Sequence, residues 1–331
     1  MNQKEKLNKV TAKGARFSRI GAMSLGSKIA MVILALIVLV SILAPFISPY
    51  GPGDISTKWQ GPSAEHFFGT DHVGRDIFAR VLYGGRYSLV IGLCSTLVAL
   101  FFGAIIGSIA AVVRKSISET IMRILDIIMA VPGIAMAAVT VLVFGRTLTK
   151  SGNTAGLVVI IICSIAFVYI PQLSRIVRAN VMAAYGEDYV RAVIVSGARA
   201  PWILTKHVMR NTAAPVLVFA TVLVADAIIL EASLTFIGSG LQATTVATWG
   251  NVLSEASTNR SVLQGMWWTA TFPGLFIMTT VLCLNLLSEG ITDAMVAAPS
   301  SAAVAQVDNN SDREADKLLL DPRRAYAEQA E

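Results

Sequence analysis

Six long apolar runs alternate with polar connections along this 331-residue chain, at Ile29 to Ser48, Ser88 to Val113, Ile121 to Phe144, Ala155 to Ile176, Ala213 to Phe236 and Trp268 to Leu287. A helix rising ~1.5 Å per residue needs about 20 residues to cross a hydrocarbon core of ~30 Å, and each run is near that length. The pattern predicts an all-α, polytopic membrane protein with six transmembrane helices. The first run is too long for the apolar region of a secretory signal, about 7 to 15 residues, and is read as a retained span over residues 29–48. Pro45, Pro49, Pro52 and Gly53 close it.

The connections differ in character. Residues 1–28 form a basic N-terminal segment, and residues 49–87 a polar segment. After Gly74, the apolar positions Ile77, Phe78, Val81 and Leu82 recur at helical spacing opposite Arg75, Asp76 and Arg80. That spacing predicts a helix along the interface that leads into the second span. Residues 88–295 hold the five-helix core, and residues 296–331 shift to Ser, Ala, Asn and charge, a loose acidic tail.

One connection stands apart. Glu187 to Asn211 is a polar and basic island between apolar runs, and it predicts two short helices meeting at Gly197. Asp188 suits the N-cap of the first, with Tyr189, Val190, Ala192, Val193 and Ile194 on its apolar side. Pro201 suits the first turn of the second, which is expected to end near Asn211. Arg191, Arg199, Lys206 and Arg210 are left for solvent, lipid headgroups or an acidic partner, and an ordinary interfacial loop fits the same residues.

Composition strengthens the membrane reading, with 54% hydrophobic and 15% charged residues and a mean hydropathy of +0.64. The net charge of +6 does not point to nucleic acid, because the Lys and Arg residues flank apolar spans rather than forming one basic face. Lys and Arg number sixteen in the N-terminus and even-numbered connections against seven in the alternate loops. That bias puts both termini and the Gly197 island in the cytoplasm, and residues 49–87 outside. Cys94, Cys163 and Cys283 lie singly in apolar runs, which fits neither a disulfide framework nor a zinc site.

Candidate chemistry is sparse. There is no GK dipeptide, hence no phosphate-cradling loop, and neither HExxH nor GxSxG occurs. His66 and His72 share the outer segment, where a metal site is conceivable, and read as solvent-exposed histidines. Asp126 reads as the i,i+3 partner of Arg123, and Trp249, Trp267 and Trp268 as residues near the outer interface. Asp226 and Glu231 share one span and project about 140° apart, so one of them at most faces a solute pathway; a polar contact with another subunit fits Glu231 equally well. Gly103 and Gly107 form a GxxxG pair that permits close helix approach. Pro132, Pro171 and Pro273 interrupt three spans.

Three blocks carry a family resemblance: FGTDHVGRDIFARVLYGGRYSL from Phe68, YVRAVIVSGARAPWILTKHVMRN from Tyr189, and ILEASLTFIGSGLQATTVATWGNVLSEA from Ile229, followed by FPGLFI and NLLSEGITDAM. Over about residues 28 to 295 the chain resembles the permease subunits of ATP-binding-cassette importers, specifically the second ("C" type) permease of the dipeptide, oligopeptide and nickel group. The resemblance implies a type I importer permease fold with cytoplasmic coupling helices. It implies a heterodimer with a second, similar permease, two ATPase subunits that bind ATP and Mg, and an extracytoplasmic substrate-binding protein in a bacterial cytoplasmic membrane. The chain itself would hold no cofactor or metal and perform no catalysis. Within residues 187–211, the resemblance gives the ATPase-coupling role to Glu187, Asp188, Tyr189, Arg191, Ala192, Gly197, Ala198 and Pro201. Arg191 departs from the family's acidic position, Arg210 from its proline, and Ala243 to Val246 from the usual prolines before Trp249. The implied solute is a di- or oligopeptide, with nickel or another small solute left open. An ion-coupled carrier using Asp226 or Glu231 is the reading from another class; it predicts transport that survives ATP depletion.

Overall fold

The computed structural model describes residues 23–150, 152–198, 200–241 and 246–320, with side chains described except at 146–150, 192, 200, 201, 207, 210 and 295–320. Residues 29–288 form one compact unit, and residues 1–28 with 289–331 a smaller one. In the smaller unit Gly290 lies against Ser27 and Met23, close enough that a Cβ there would sit 2.9 Å from Met23 Cε.

Helix α1, Leu25–Ile42, is followed by the single turn α2, Ala44–Ile47, which has proline in its first turn. Residues 49–76 then fold as an irregular cap with two isolated bridging pairs, Ile55 with Arg75 and Thr70 with Asp76. Helix α3, Ile77–Val112, opens where the Asp76 carboxylate accepts the Ala79 N–H at 2.7 Å. Its 36 residues rise ~54 Å. The expected interfacial helix is therefore no separate element; residues 77–87 are the first turns of the second span.

The third apolar run does not form one straight helix. Helices α4, Lys115–Met129, and α5, Gly133–Lys150, meet at an angle of 82°. Pro132 lies in the break, where a missing N–H and a ring clash stop the ladder. Helix α6, Thr154–Tyr185, starts with Asn153 accepting the Gly156 N–H at 2.9 Å and carries Pro171 without a break. After the connection at residues 186–208 come α9, Met209–Phe236, the short α10, Trp249–Thr258, and α11, Trp268–Leu320. The change of composition at residue 296 thus falls inside α11. Residues 1–22 and 321–331 of the basic N-terminus and the acidic tail lie outside the described residues.

Close approaches fix the helix directions. A Cβ at Gly103 would sit 2.6 Å from Leu173 Cβ, and one at Gly107 would sit 2.8 Å from Val177 Cβ. Residue numbers rise together, so α3 and α6 run parallel. Helix α4 begins beside the far end of α3, where Ser118 Oγ donates to Ala110 O at 2.6 Å. Helix α5 ends beside the start of α6, where Gly145 faces Leu157. The bent pair must therefore cross as one broken span. Gly92 faces Ile228, and Ser88 Oγ donates to Glu231, so α9 runs antiparallel to α3. Trp268 Nε1 donates to Thr70 O in the cap, whereas Ser288 Oγ reaches Val218 O toward the opposite end, which sets the direction of α11. Arg86 donates from Nε to Ser41 O at 2.7 Å and from Nη2 to Ile42 O, joining the end of α1 to the start of α3. Among the described residues, five continuous helices and one broken pair give six crossings.

The core is shared by α3, α6 and α9 through Ile91, Ile165, Leu173 and Leu223. A second cluster gathers around the fully buried Trp249. Its indole N–H donates to Val81 O at 2.8 Å. The expectation of an interfacial Trp249 is corrected: the ring is a core residue, while Trp267 is half exposed.

Candidate functional site

The island at Glu187 to Asn211 folds as an elbow. Helix α7, Asp188–Val195, opens with the Val190 and Arg191 N–H groups donating to Glu187 O, each at 3.1 Å. The capping position thus belongs to Glu187, one residue before the expected Asp188, and the Asp188 charge lies in the first turn, where it suits the helix dipole. Gly197 turns the chain with φ of 85° while its N–H donates to Ile194 O at 3.0 Å. An L side chain is strained in that left-handed conformation, although a Cβ there would meet nothing within 4 Å.

The second arm departs from expectation in a way that matters mechanically. Helix α8, Ala200–Ile203, passes into a π-helical turn, Leu204–Val208, and that turn passes into α9 at Met209. The second short helix does not end near Asn211 but continues into the fifth span. Val190, Ile203 and Val208 are buried and fix the elbow to the core. Asn211 Nδ2 also donates to Tyr189 OH at 2.7 Å, fastening α7 to the base of α9.

The other surface of the elbow is uncovered. Val195 is 88% exposed, and Tyr189, Ile194 and Trp202 are also exposed. Arg191 sits 3.9 Å from Asp188 at the surface, a pair worth little in water. Ala198 is partly buried. Ala192 and Pro201 belong to α7 and α8, but their side chains, like that of Arg210, lie outside the described residues, as do Arg199 and residues 242–245 in full.

Along α9 the two acidic residues separate as their 140° spacing requires. Asp226 is exposed and shares a stripe with Ile229, Ser233 and Phe236. Tyr169 of α6 is within electrostatic reach of it and is itself buried in the core. A charge facing hydrocarbon near the bilayer centre costs roughly 2.5–3.5 kcal/mol. Glu231 points the other way and is 1% exposed. It accepts hydrogen bonds from Ser88 Oγ at 3.3 Å, Thr235 Oγ1 at 3.1 Å and the Thr248 hydroxyl. Ser88 Oγ also accepts the Trp249 N–H at 3.2 Å. Thr248 and Asn251 cap α10 reciprocally, so Glu231 ties α3, α9 and the start of α10 within this one chain.

The sequence missed an ionic cluster in the cap. Asp71 Oδ2 lies 2.7 Å from Arg75 Nε and 2.8 Å from Arg80 Nη1, and Glu255 of α10 contacts both guanidiniums. Burial would raise the Asp71 carboxyl pKa. The Arg75 backbone N–H and the charges of Arg80 and Arg75 outweigh burial and hold it below the ordinary value. Burial likewise opposes the Arg75 charge, but the Glu255 hydrogen bond and the nearby carboxylates raise its pKa. Arg80, expected on a polar outer face, is 1% exposed. His66 is also buried, against the solvent-exposed reading, with Nδ1 2.7 Å from Asp76 Oδ2. Only the i,i+4 spacing of Asp71 and Arg75 signalled the cluster, because Glu255 is too distant in sequence for a local pattern. Asp126 is corrected in the same way: its partner is Arg175 of α6 rather than Arg123.

The family described as the binding-protein-dependent transport system inner membrane component matches residues 103–298, which include the elbow, α9 and α10. The chain belongs to this family. A second description, the N-terminal TM domain of oligopeptide transport permease C, matches this permease over residues 26–62. The permease is 36% identical to the dipeptide transport system permease protein DppC of Alkalihalophilus pseudofirmus, covering 81% of this chain and 84% of that one. It is 35% identical to the protein of the same name from Escherichia coli K12, over 82% and 88% of the two chains. It is 33% identical to the di/tripeptide transport system permease protein DppC of Pseudomonas aeruginosa, over 80% and 86%. A solved structure of the MetNI methionine ABC transporter aligns with a TM-score of 0.45 at 14% identity, over 63% of this chain and 97% of that one.

Proposed function

We propose that the permease forms half of the solute pathway of an ATP-driven importer of di- and oligopeptides, and that residues 187–211 carry the motion of separate ATPase subunits into it. The observation that carries this reading is the uncovered elbow, whose exposed Val195, Tyr189, Ile194 and Trp202 are apolar side chains of the kind a protein partner covers. That surface is joined through α8 and the π turn to α9, so a push on the elbow moves the span that bears Asp226 and Glu231. The sequence has no phosphate loop, so ATP and Mg belong to the partner subunits. The peptide substrate follows from the relatives' names.

In this reading a second, homologous permease faces the Asp226 stripe and the pathway runs between the two chains. Glu231, behind it, holds α9 against α3 and α10. An extracytoplasmic binding protein delivers the solute at the cap end, and the loop charges orient both termini and the elbow toward the cytoplasm of a bacterial inner membrane. Val195→Asp tests the docking surface. Co-purification of the ATPase subunits from solubilised membranes should drop at least tenfold while the amount of inserted permease stays constant. Undiminished co-purification contradicts the proposal, and uptake that survives ATP depletion favours the ion-coupled carrier.

A further inference from the structure

Two independent features of the permease mark one depth in the membrane. The first is Asp226, an exposed carboxylate about two thirds of the way along α9 that has no hydrogen bond or ion pair among the described residues. The second is the break between α4 and α5, where residues 129–132 are exposed. Irregular backbone at membrane depth persists only where protein covers it or water reaches it. Both features lie near the same turn of α6: Gly133, at the edge of the break, lies against Val168, and Asp226 is within electrostatic reach of Tyr169.

We infer that Asp226 is the point on the pathway that receives the protonated amino terminus of the passing peptide. The inference rests on the pathway reading above and adds the chemistry of the contact. A single carboxylate supplies one negative charge and a few lone pairs, which match a monovalent ammonium; a divalent cation such as calcium takes six or more oxygen ligands. The rest of the stripe is exposed Ile229 and Phe236 with the partly buried Ser233 between them, neutral residues that leave the peptide side chains unselected.

Ser233, two turns along the same stripe, provides a reporter that is not part of the proposed contact. The test uses the assembled transporter without its binding protein, with Cys94, Cys163 and Cys283 replaced by serine and Ser233→Cys introduced. A hydrophilic thiol reagent should label this position. Millimolar dialanine should slow labelling at least threefold, N-acetyl-dialanine should not, and Asp226→Asn should abolish the protection while Asp226→Glu retains it. Absence of labelling overturns the pathway reading and the inference together. Labelling that neither peptide slows, that both slow equally, or that dialanine still slows in Asp226→Asn overturns the inference alone.

Discussion

At the scale of single residues, glycines separate two physical effects. Gly107 packs so closely on α6 that a Cβ would sit 2.8 Å from Val177 Cβ and closer still to the Ser174 carbonyl oxygen. Gly274 in α11 has nothing within 4 Å of its would-be Cβ. Replacing a helical glycine by alanine gains about 1 kcal/mol of helix propensity. Overpacking costs about 1–3 kcal/mol, and more where backbone must move. Gly274→Ala should therefore raise the Tm of the detergent-solubilised permease and Gly107→Ala should lower it; equal shifts in both would contradict the packing described. The close approach at Gly103 and Gly107 was legible in the sequence as a GxxxG pair. The burial of Glu231 was not, because its partners Ser88 and Thr248 lie on other helices and an isolated helix pattern does not reveal which face a neighbour covers.

At the scale of elements, the cap and α10 are held together by charge. Glu255→Ala leaves Arg75 and Arg80 with one carboxylate between them. Breaking a buried pair costs ~3–5 kcal/mol, and the 22% exposure of the Glu255 side chain puts the loss near the lower end. The Asp71 carboxyl is held below its ordinary value in the folded state, so its contribution is complete above the unfolded value of about 3.9 and is lost as pH falls through the folded one. Hydrogen-exchange protection factors over residues 70–80, corrected for the intrinsic rate at each pH, should thus fall in acid below about pH 4, and Asp71→Asn should remove that limb. An acid limb unchanged in Asp71→Asn would contradict the assignment. Sequence periodicity located every span because lipid imposes a long apolar run. It missed the 82° bend of the third span, since the apolar run continues on both sides of Pro132 and only geometry distinguishes a kink from a break. It also stopped the elbow at Asn211, where a change from polar to apolar composition coincides with no change of backbone.

At the scale of the whole molecule, six crossings place the cap and the elbow at opposite ends, and α9 spans the distance between them. A displacement of the elbow therefore reaches Asp226 and Glu231 through one helix rather than through a chain of loops. The positions of the elbow residues were legible in the sequence, but their rigidity was not: it comes from buried Val190, Ile203 and Val208 and from the Tyr189–Asn211 hydrogen bond, contacts formed only on folding. Gly197 forms the turn of the elbow, and its positive φ makes a β-branched residue costly there even though the surrounding space is open. The most direct test measures dipeptide uptake and ATP hydrolysis together, in proteoliposomes holding the complete transporter with ATP inside and binding protein outside. Gly197→Val should leave the permease inserted and reduce the peptide moved per ATP hydrolysed at least tenfold. An unchanged ratio of uptake to hydrolysis would contradict the coupling role of the elbow.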